Sequence, residues 1–203
     1  MRRRTFDIIT SAVGLVTVVV LLVAGGLLMW AYAFTHDEVH KQLAAQEIYF
    51  PPKQAFEHPK EGTEITKSMI PSVSQYAGQQ LLTGQQAEVW ANDFIAVHLS
   101  EMPYKGVYAK ISEAARAHPE SKQLAALEQT SFQGTTLRGM LLDAYAFSVI
   151  GTVTFWASIA SFSLALILSV LVALGFWHAR RTPLEEELLV HNQSAHAPAT
   201  GGA

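Results

Sequence analysis

Two long uncharged stretches constrain the fold of this chain more than any other feature of its sequence. Residues 8–34 and 144–177 contain no Asp, Glu, Lys, Arg or His and are dominated by Val, Leu, Ala, Ile and Gly. A helix needs about 20 such residues to cross the hydrocarbon core of a bilayer. An uncharged helix of this length also has no polar face to turn toward water. The sequence therefore predicts two transmembrane helices, at 8–34 and 144–177.

The charges beside the two stretches predict how the chain is oriented. An arginine run at 2–4 precedes the first stretch, and Arg180 and Arg181 follow the second. Because Lys and Arg near span ends favour the cytoplasmic side, both termini are expected in the cytoplasm and the central segment outside. The segment 31–33 (AYA) resembles a signal-peptide cleavage site. The apolar part of a signal peptide is only about 7–15 residues long, however, so an uncleaved signal anchor is favoured.

These features predict an all-α membrane protein with a small extracytoplasmic helical domain inserted between two transmembrane helices. Its predicted segments are a cytoplasmic N-terminus at 1–7, the two spans, the outer domain at 35–143 and a disordered cytoplasmic tail at 178–203. The N-terminal end of the second span is expected to project outward. The outer domain carries 13 acidic and 9 basic residues, a balance that does not indicate a nucleic-acid partner. The chain has no cysteine, so disulfides and thiolate metal ligands are excluded.

The segment between the spans is predicted to be helical apart from one connector. The first helix is expected to continue outward to Gln46 and to end before Pro51. The stretch 51–71, rich in Pro, Lys, Glu and Thr, is predicted to be an extended connector. We expect helices at 72–82, 86–101, 104–117 and 119–131, a break at Gly134, and a closing helix from Thr135 or Thr136 into the second span. Together with the projecting span ends, these helices would form a small bundle.

A row of small residues marks the second span. The row has a four-residue spacing and consists of Ala157, Ser161, Ala165, Ser169 and Ala173. Small residues at this spacing allow the backbones of two membrane helices to approach closely. The row is therefore predicted to be a helix-packing face for the first span, for a second copy of the chain or for another membrane protein. Chance in a helix rich in Ala and Ser is the alternative.

Two histidines are the weak candidates for a metal site. His36 and His40 are four residues apart on the extended first helix, a spacing that places both imidazoles on one face. Asp37, Glu38 and His58 are further potential ligands in the sequence. The chain has no HExxH pattern, and exposed histidines near a membrane surface are usually only solvated. No metal and no other cofactor is therefore expected.

The helix predicted at 86–101 carries both aromatic and ionisable residues. Trp90 and Phe94 lie on one stripe of that helix and, with Tyr108, are the residues predicted to line an apolar pocket. The ionisable side chains have the residue types of acid–base catalysts, but they also fit the polar outer face of an amphipathic helix, which is favoured; they are Glu88, Asp93, His98 and Glu101. No catalytic residue is therefore assigned.

Five segments of the sequence resemble a known family when they are taken as a set. They are 1–7 (MRRRTFD), 48–52 (IYFPP), 76–84 (YAGQQLLTG), 137–142 (LRGMLL) and 175–178 (GFWH). On these segments the chain, up to Arg181, resembles a family of two-span membrane proteins of actinobacterial type. Its members often carry the automatic name of an aromatic ring-opening dioxygenase subunit. The resemblance implies a location in a bacterial plasma membrane, and it supplies no catalytic residue for this chain.

The leading functional hypothesis is a non-enzymatic envelope protein whose outer domain binds or positions another envelope component. The expected partners are the lipid bilayer and, through the second span, another membrane protein or a second copy. The alternative is a sensor or a module that binds an apolar ligand. An iron-dependent dioxygenase component is a more distant alternative, because ring-opening dioxygenases are soluble and hold Fe(II) through two His and a carboxylate. The sequence has no Gly-rich phosphate loop, no GxSxG and no charged residue inside either span.

Overall fold

The computed structural model describes residues 3–57, 59 and 65–181, and this part of the chain is mostly helical and contains no β-strand. The α-helices are α1 (Arg3–Ala44), α2 (Lys53–Glu57), α3 (Ile70–Val73), α4 (Gly84–Val89), α5 (Ala96–Glu101), α6 (Tyr108–Ala117) and α7 (Lys122–Arg181). A π-helical turn at Trp90–Ile95 joins α4 to α5, and 3-10 turns lie at Ser74–Tyr76 and Pro103–Gly106. The predicted disordered tail lies outside the described residues from 182 onward, whereas 178–181 continue α7.

Two of these helices, α1 and α7, are long and apolar enough to cross a membrane. Their most apolar windows have mean hydropathies of 2.7 and 2.5, and only 11% and 17% of those windows is buried. The core helix of a soluble protein would be mostly buried, because apolar side chains are stabilised by removal from water. The domain boundaries predicted at 35 and 144 fall inside these continuous helices rather than at breaks between elements.

The continuity of α7 corrects two predictions. The helix predicted from Pro119 begins only at Lys122, after Ser121 has capped its first turn with a side-chain hydrogen bond. The break predicted at Gly134 is wrong. A Cβ at this glycine would lie 2.9 Å from Leu99 Cδ2, so the residue permits a close helix contact. A glycine inside a helix costs only about 1 kcal/mol, and tertiary packing readily offsets that amount.

The prediction of a helix at 72–82 is also wrong for the residues after Tyr76. Helical structure ends at Tyr76, and the chain then passes through Gly78, which has a φ of 72°. From there the chain is extended and pairs with the segment after α1, where the Leu81 amide donates to the Ile48 carbonyl at 2.8 Å. Within the predicted connector, α2 forms because Phe56 enters the core.

The chain divides into two compact units, Met1–Leu28 with Trp156–Ala203, and Met29–Phe155. We call the first the two-helix unit and the second the helical domain. The helical domain has one apolar core, to which α1 contributes Val39 and Leu43 and α7 contributes Leu141. The other large members of this core are Phe50, Phe56, Ile65, Met69, Val73, Leu81, Trp90 and Ile95.

Candidate functional site

The two-helix unit is held together along a seam of small residues. The buried seam residues of α7 are Ser158, Ser161, Ala165, Val172 and Ala179, and those of α1 are Ser11, Val18 and Gly25. With the half-buried Leu168 and Gly175 included, the spacing on α7 alternates between three and four residues. This alternation is the heptad repeat of knobs-into-holes packing.

Hydrogen bonds and close approach reinforce this seam. Ser158 Oγ donates to the Gly25 carbonyl at 2.8 Å, and Ser161 Oγ donates to the Leu21 carbonyl at 2.7 Å. A Cβ at Gly14 would lie 2.6 Å from Val172 Cγ2, too close for any side chain larger than hydrogen. Hydroxyls that bond across two helices satisfy polar groups that water cannot reach inside a bilayer.

The predicted row of small residues only partly coincides with this seam. Ser161 and Ala165 are buried on it, Ala157 and Ser169 are half-buried, and Ala173 is exposed. The reason is helical geometry. Residues spaced by four advance about 40° around the helix at each step, whereas a heptad drifts only about 20° over seven residues. A strict four-residue row therefore winds away from a neighbouring helix within a few turns.

The three aromatic residues predicted to line a pocket take part in two separate ring contacts. Trp90 and Phe94 stack with ring centroids 4.2 Å apart, and Phe50 packs edge-on against Trp90 at 5.0 Å. Tyr108 instead contacts Phe132, with a centroid distance of 5.6 Å. Trp90 is buried in the core of the helical domain. The space beside the Trp90 ring is thus occupied by other aromatic side chains.

The π-helical turn that carries Trp90 has no signal in the sequence. It is tied to α7 by Arg138, whose Nη2 donates to Asn92 Oδ1 at 2.8 Å. Of the ionisable residues on this segment, His98 has its Nδ1 2.8 Å from the Phe94 carbonyl oxygen. π-Helical turns are frequent at functional sites. Here the turn brings its large rings into the core.

The strongest candidate for a functional surface is an exposed apolar patch on the helical domain. We call it the Tyr104 patch and define it as Tyr104, Val107, Tyr108 and Phe132. Tyr104 and Phe132 are each 49% exposed, although both are large and apolar. Lys105 is also exposed beside them. Tyr108 and Phe132 are in ring contact, and Tyr104 and Val107 belong to the same short segment as Tyr108. Clustered apolar exposure marks interaction surfaces, whereas single exposed apolar residues are ordinary.

The backbone that presents the Tyr104 patch is strained. Tyr104 (φ 57°, ψ 20°) and Lys105 (φ 56°, ψ 32°) both adopt the left-handed conformation. That conformation costs a non-glycine residue about 1–2 kcal/mol, and it persists only where the surroundings enforce it. Gly106 follows with a φ of 64°, and its carbonyl accepts a hydrogen bond at 2.8 Å from the fully buried Ser131 Oγ. The turn is thus fixed to α7.

His36 and His40, the two candidates considered for a metal site, are both exposed on α1. His36 contacts the ring of Tyr32, and both histidines line a cavity of about 400 Å³ whose other polar groups include Thr83 and Ser148. Within the described part of the chain, no group of three or more His, Asp or Glu side chains is placed to hold a metal ion. His58, a further potential ligand, lies outside the described residues.

Comparison of the chain with models of protein families, with curated proteins and with solved structures finds no match.

Proposed function

We propose that the protein is a two-span membrane protein whose helical domain docks another envelope protein through the Tyr104 patch. In this proposal both termini lie in the cytoplasm and the helical domain lies outside. The role is one of binding and assembly rather than catalysis. The resemblance to two-span membrane proteins of actinobacterial type is consistent with this assignment, and it remains part of the proposal.

The apolar faces of α1 and α7 support the membrane part of the proposal. Away from the seam, large residues such as Val16, Leu27, Trp156 and Leu166 are more than 60% exposed. In water, each such side chain would forgo about 1.5–3 kcal/mol of burial free energy. Lipid removes this penalty for all of these side chains, while the seam buries mainly serines, alanines, glycines and valines between the two helices.

The Tyr104 patch is the single observation that carries the docking role. The patch combines tyrosines, an apolar surface and a backbone held in a strained conformation. Tyrosine is enriched at interface hot spots because its ring supplies contact area and its hydroxyl a hydrogen bond. Lys105, which follows Tyr104 in the sequence and is exposed, favours a partner surface that carries a carboxylate beside its apolar area.

Site-specific photo-crosslinking in the native membrane tests this role. Tyr104 and Tyr108 are replaced one at a time by a photoreactive phenylalanine derivative, and Tyr49 is replaced as the control. Tyr49 is 58% exposed in the same domain but outside the patch. We expect one protein adduct from both patch positions, at a yield about fivefold above that from Tyr49. Phe132→Ala should abolish the adduct, because it removes the ring that packs on Tyr108.

Equal yields from all three positions, or an adduct that persists unchanged in Phe132→Ala, would contradict docking at the patch. Membrane topology is tested separately, since the chain has no native cysteine. A cysteine at Glu113 should react with an impermeant maleimide in intact cells, and one at Arg181 should react only after lysis. The reverse pattern would refute the orientation.

A further inference from the structure

The helical domain contains a second apolar surface, a groove between α1 and α7 on which the docking proposal does not depend. The groove has a volume of about 360 Å³. Its apolar walls include Phe34, Phe147 and Met140, each more than half exposed. Its polar lining includes two carboxylates, Glu38 and Asp143. The groove is therefore amphipathic.

On both helices the aromatic ring lies at the apolar stretch and the carboxylate lies farther from it, although the two helices run in opposite directions. Phe34 ends the first apolar stretch, and Glu38 follows it by four residues on α1. Phe147 belongs to the second apolar stretch, and Asp143 precedes it by four residues on α7. Residues four apart lie on one face of a helix, about 6 Å apart along its axis. Each helix thus presents a ring beside its apolar stretch and a carboxylate one turn farther away.

The charge of the groove is negative and is not neutralised by its own lining. No basic residue lines the described groove; the nearby Lys41 forms its ion pair with Asp37 and attracts Glu38 only as a smaller contribution. Glu38 accepts a hydrogen bond from Gln42 Nε2 at 2.7 Å, which fixes the carboxylate without cancelling its charge. Asp143 is exposed at the groove. A ligand that fits this pattern has an apolar body and a cationic head.

We propose that this groove binds a membrane phospholipid whose headgroup carries a primary ammonium, with acyl chain against the rings and ammonium between the carboxylates. This inference rests on the two-span insertion proposed above. The primary ammonium has three N–H donors for two acceptor groups. A quaternary ammonium has the charge but no donor, and a headgroup with net negative charge meets like charge. The groove therefore selects phosphatidylethanolamine over phosphatidylcholine and phosphatidylglycerol.

Native mass spectrometry of the full chain in mild detergent tests this selectivity. The protein is mixed with equal concentrations of the three lipids, with identical acyl chains, and the retained lipid is counted. The wild type should retain phosphatidylethanolamine about fivefold more than phosphatidylglycerol, the size expected from two partly exposed ion pairs. Phosphatidylcholine should be retained at an intermediate level.

The double variant Glu38→Gln/Asp143→Asn should bring the three lipids to equal retention. The matched control is Glu101→Gln/Glu113→Gln, which removes two exposed carboxylates of the same domain outside the groove and should leave the preference unchanged. Equal retention by the wild type, or a preference that survives in the groove variant, overturns the proposal. A protein bound in the groove in place of lipid also overturns it. Resistance of each variant to alkaline extraction from membranes reports insertion independently of lipid selectivity.

Discussion

Two adjacent glycines in α1 offer a matched test of the seam in the two-helix unit. Gly25 is buried, and a Cβ there would lie 2.9 Å from Phe162 Cε1 and 3.1 Å from two further ring atoms. At Gly26 no atom lies within 4 Å of the added Cβ. Replacing either glycine by leucine changes helix propensity by the same amount, so this contribution cancels between the variants. Only Gly25→Leu forces side-chain atoms into the seam.

Overpacking of this kind costs about 1–3 kcal/mol. At a fixed detergent composition, a free-energy cost of this size lowers the ratio of paired to separated spans about 5- to 150-fold, since each 1.4 kcal/mol is a factor of ten. Gly26→Leu should leave the ratio unchanged or raise it slightly. The predicted difference between the two variants is therefore at least about 1 kcal/mol.

Pairing is measured with an engineered cysteine pair, Ser11→Cys/Gly175→Cys, in the otherwise cysteine-free chain. The Cβ positions of these residues are 3.6 Å apart, within the range that a disulfide requires. A brief oxidising pulse at each step of an SDS titration gives the fraction of paired spans. The pair Ser11→Cys/Ala173→Cys is the negative control, because Ala173 is exposed away from the seam. Identical titration curves for Gly25→Leu and Gly26→Leu would refute the seam.

Three further outcomes are expected in the helical domain. Gly106→Ala should lower its free energy of unfolding by about 2 kcal/mol or more, and Gly78→Ala by about 1 kcal/mol, measured by circular dichroism. Both glycines have positive φ, but only a Cβ at Gly106 would clash with a backbone carbonyl, that of Leu99. Equal losses of unfolding free energy in the two variants would therefore contradict the geometry. Ser131→Ala should cost about 1–3 kcal/mol in the same assay, because a buried carbonyl loses its donor. Thr35→Cys/Gly151→Cys should form a disulfide, since their Cβ atoms lie 3.6 Å apart, and failure to oxidise would contradict this helix contact.

The sequence predicts those elements whose cause is local. The two apolar stretches appear as α1 and α7, and α6 ends at Ala117 as predicted, although it begins at Tyr108 rather than at 104. The prediction of a break at Gly134 is wrong because a glycine inside a helix and a glycine after a helix look alike in sequence. The contact with Leu99 that distinguishes them is tertiary.

The features on which the two proposals rest are the least visible in the sequence. Little in the local composition around Tyr104 indicates a left-handed turn, because Ser131, which donates to the Gly106 carbonyl and ties the turn to α7, lies 25 residues after Gly106. The apolar groove likewise depends on pairing Phe34 and Glu38 with residues more than 100 positions later. The four-residue spacing within each pair is present in the sequence, but only the antiparallel contact of α1 and α7 brings the two pairs into one groove.

The seam also bears on where a partner can bind. Ser158 and Ser161 donate to carbonyls of the same chain, and the seam glycines are in contact with side chains of the same chain. A second copy or another membrane protein would have to displace these contacts to use the same face, and each displaced hydrogen bond costs about 0.6 kcal/mol within a bilayer. Of the predicted small-residue row, only Ala173 remains exposed, and one alanine is too little surface for a stable helix interface. Assembly with another protein is therefore expected to depend on the Tyr104 patch of the helical domain, while the spans close on each other.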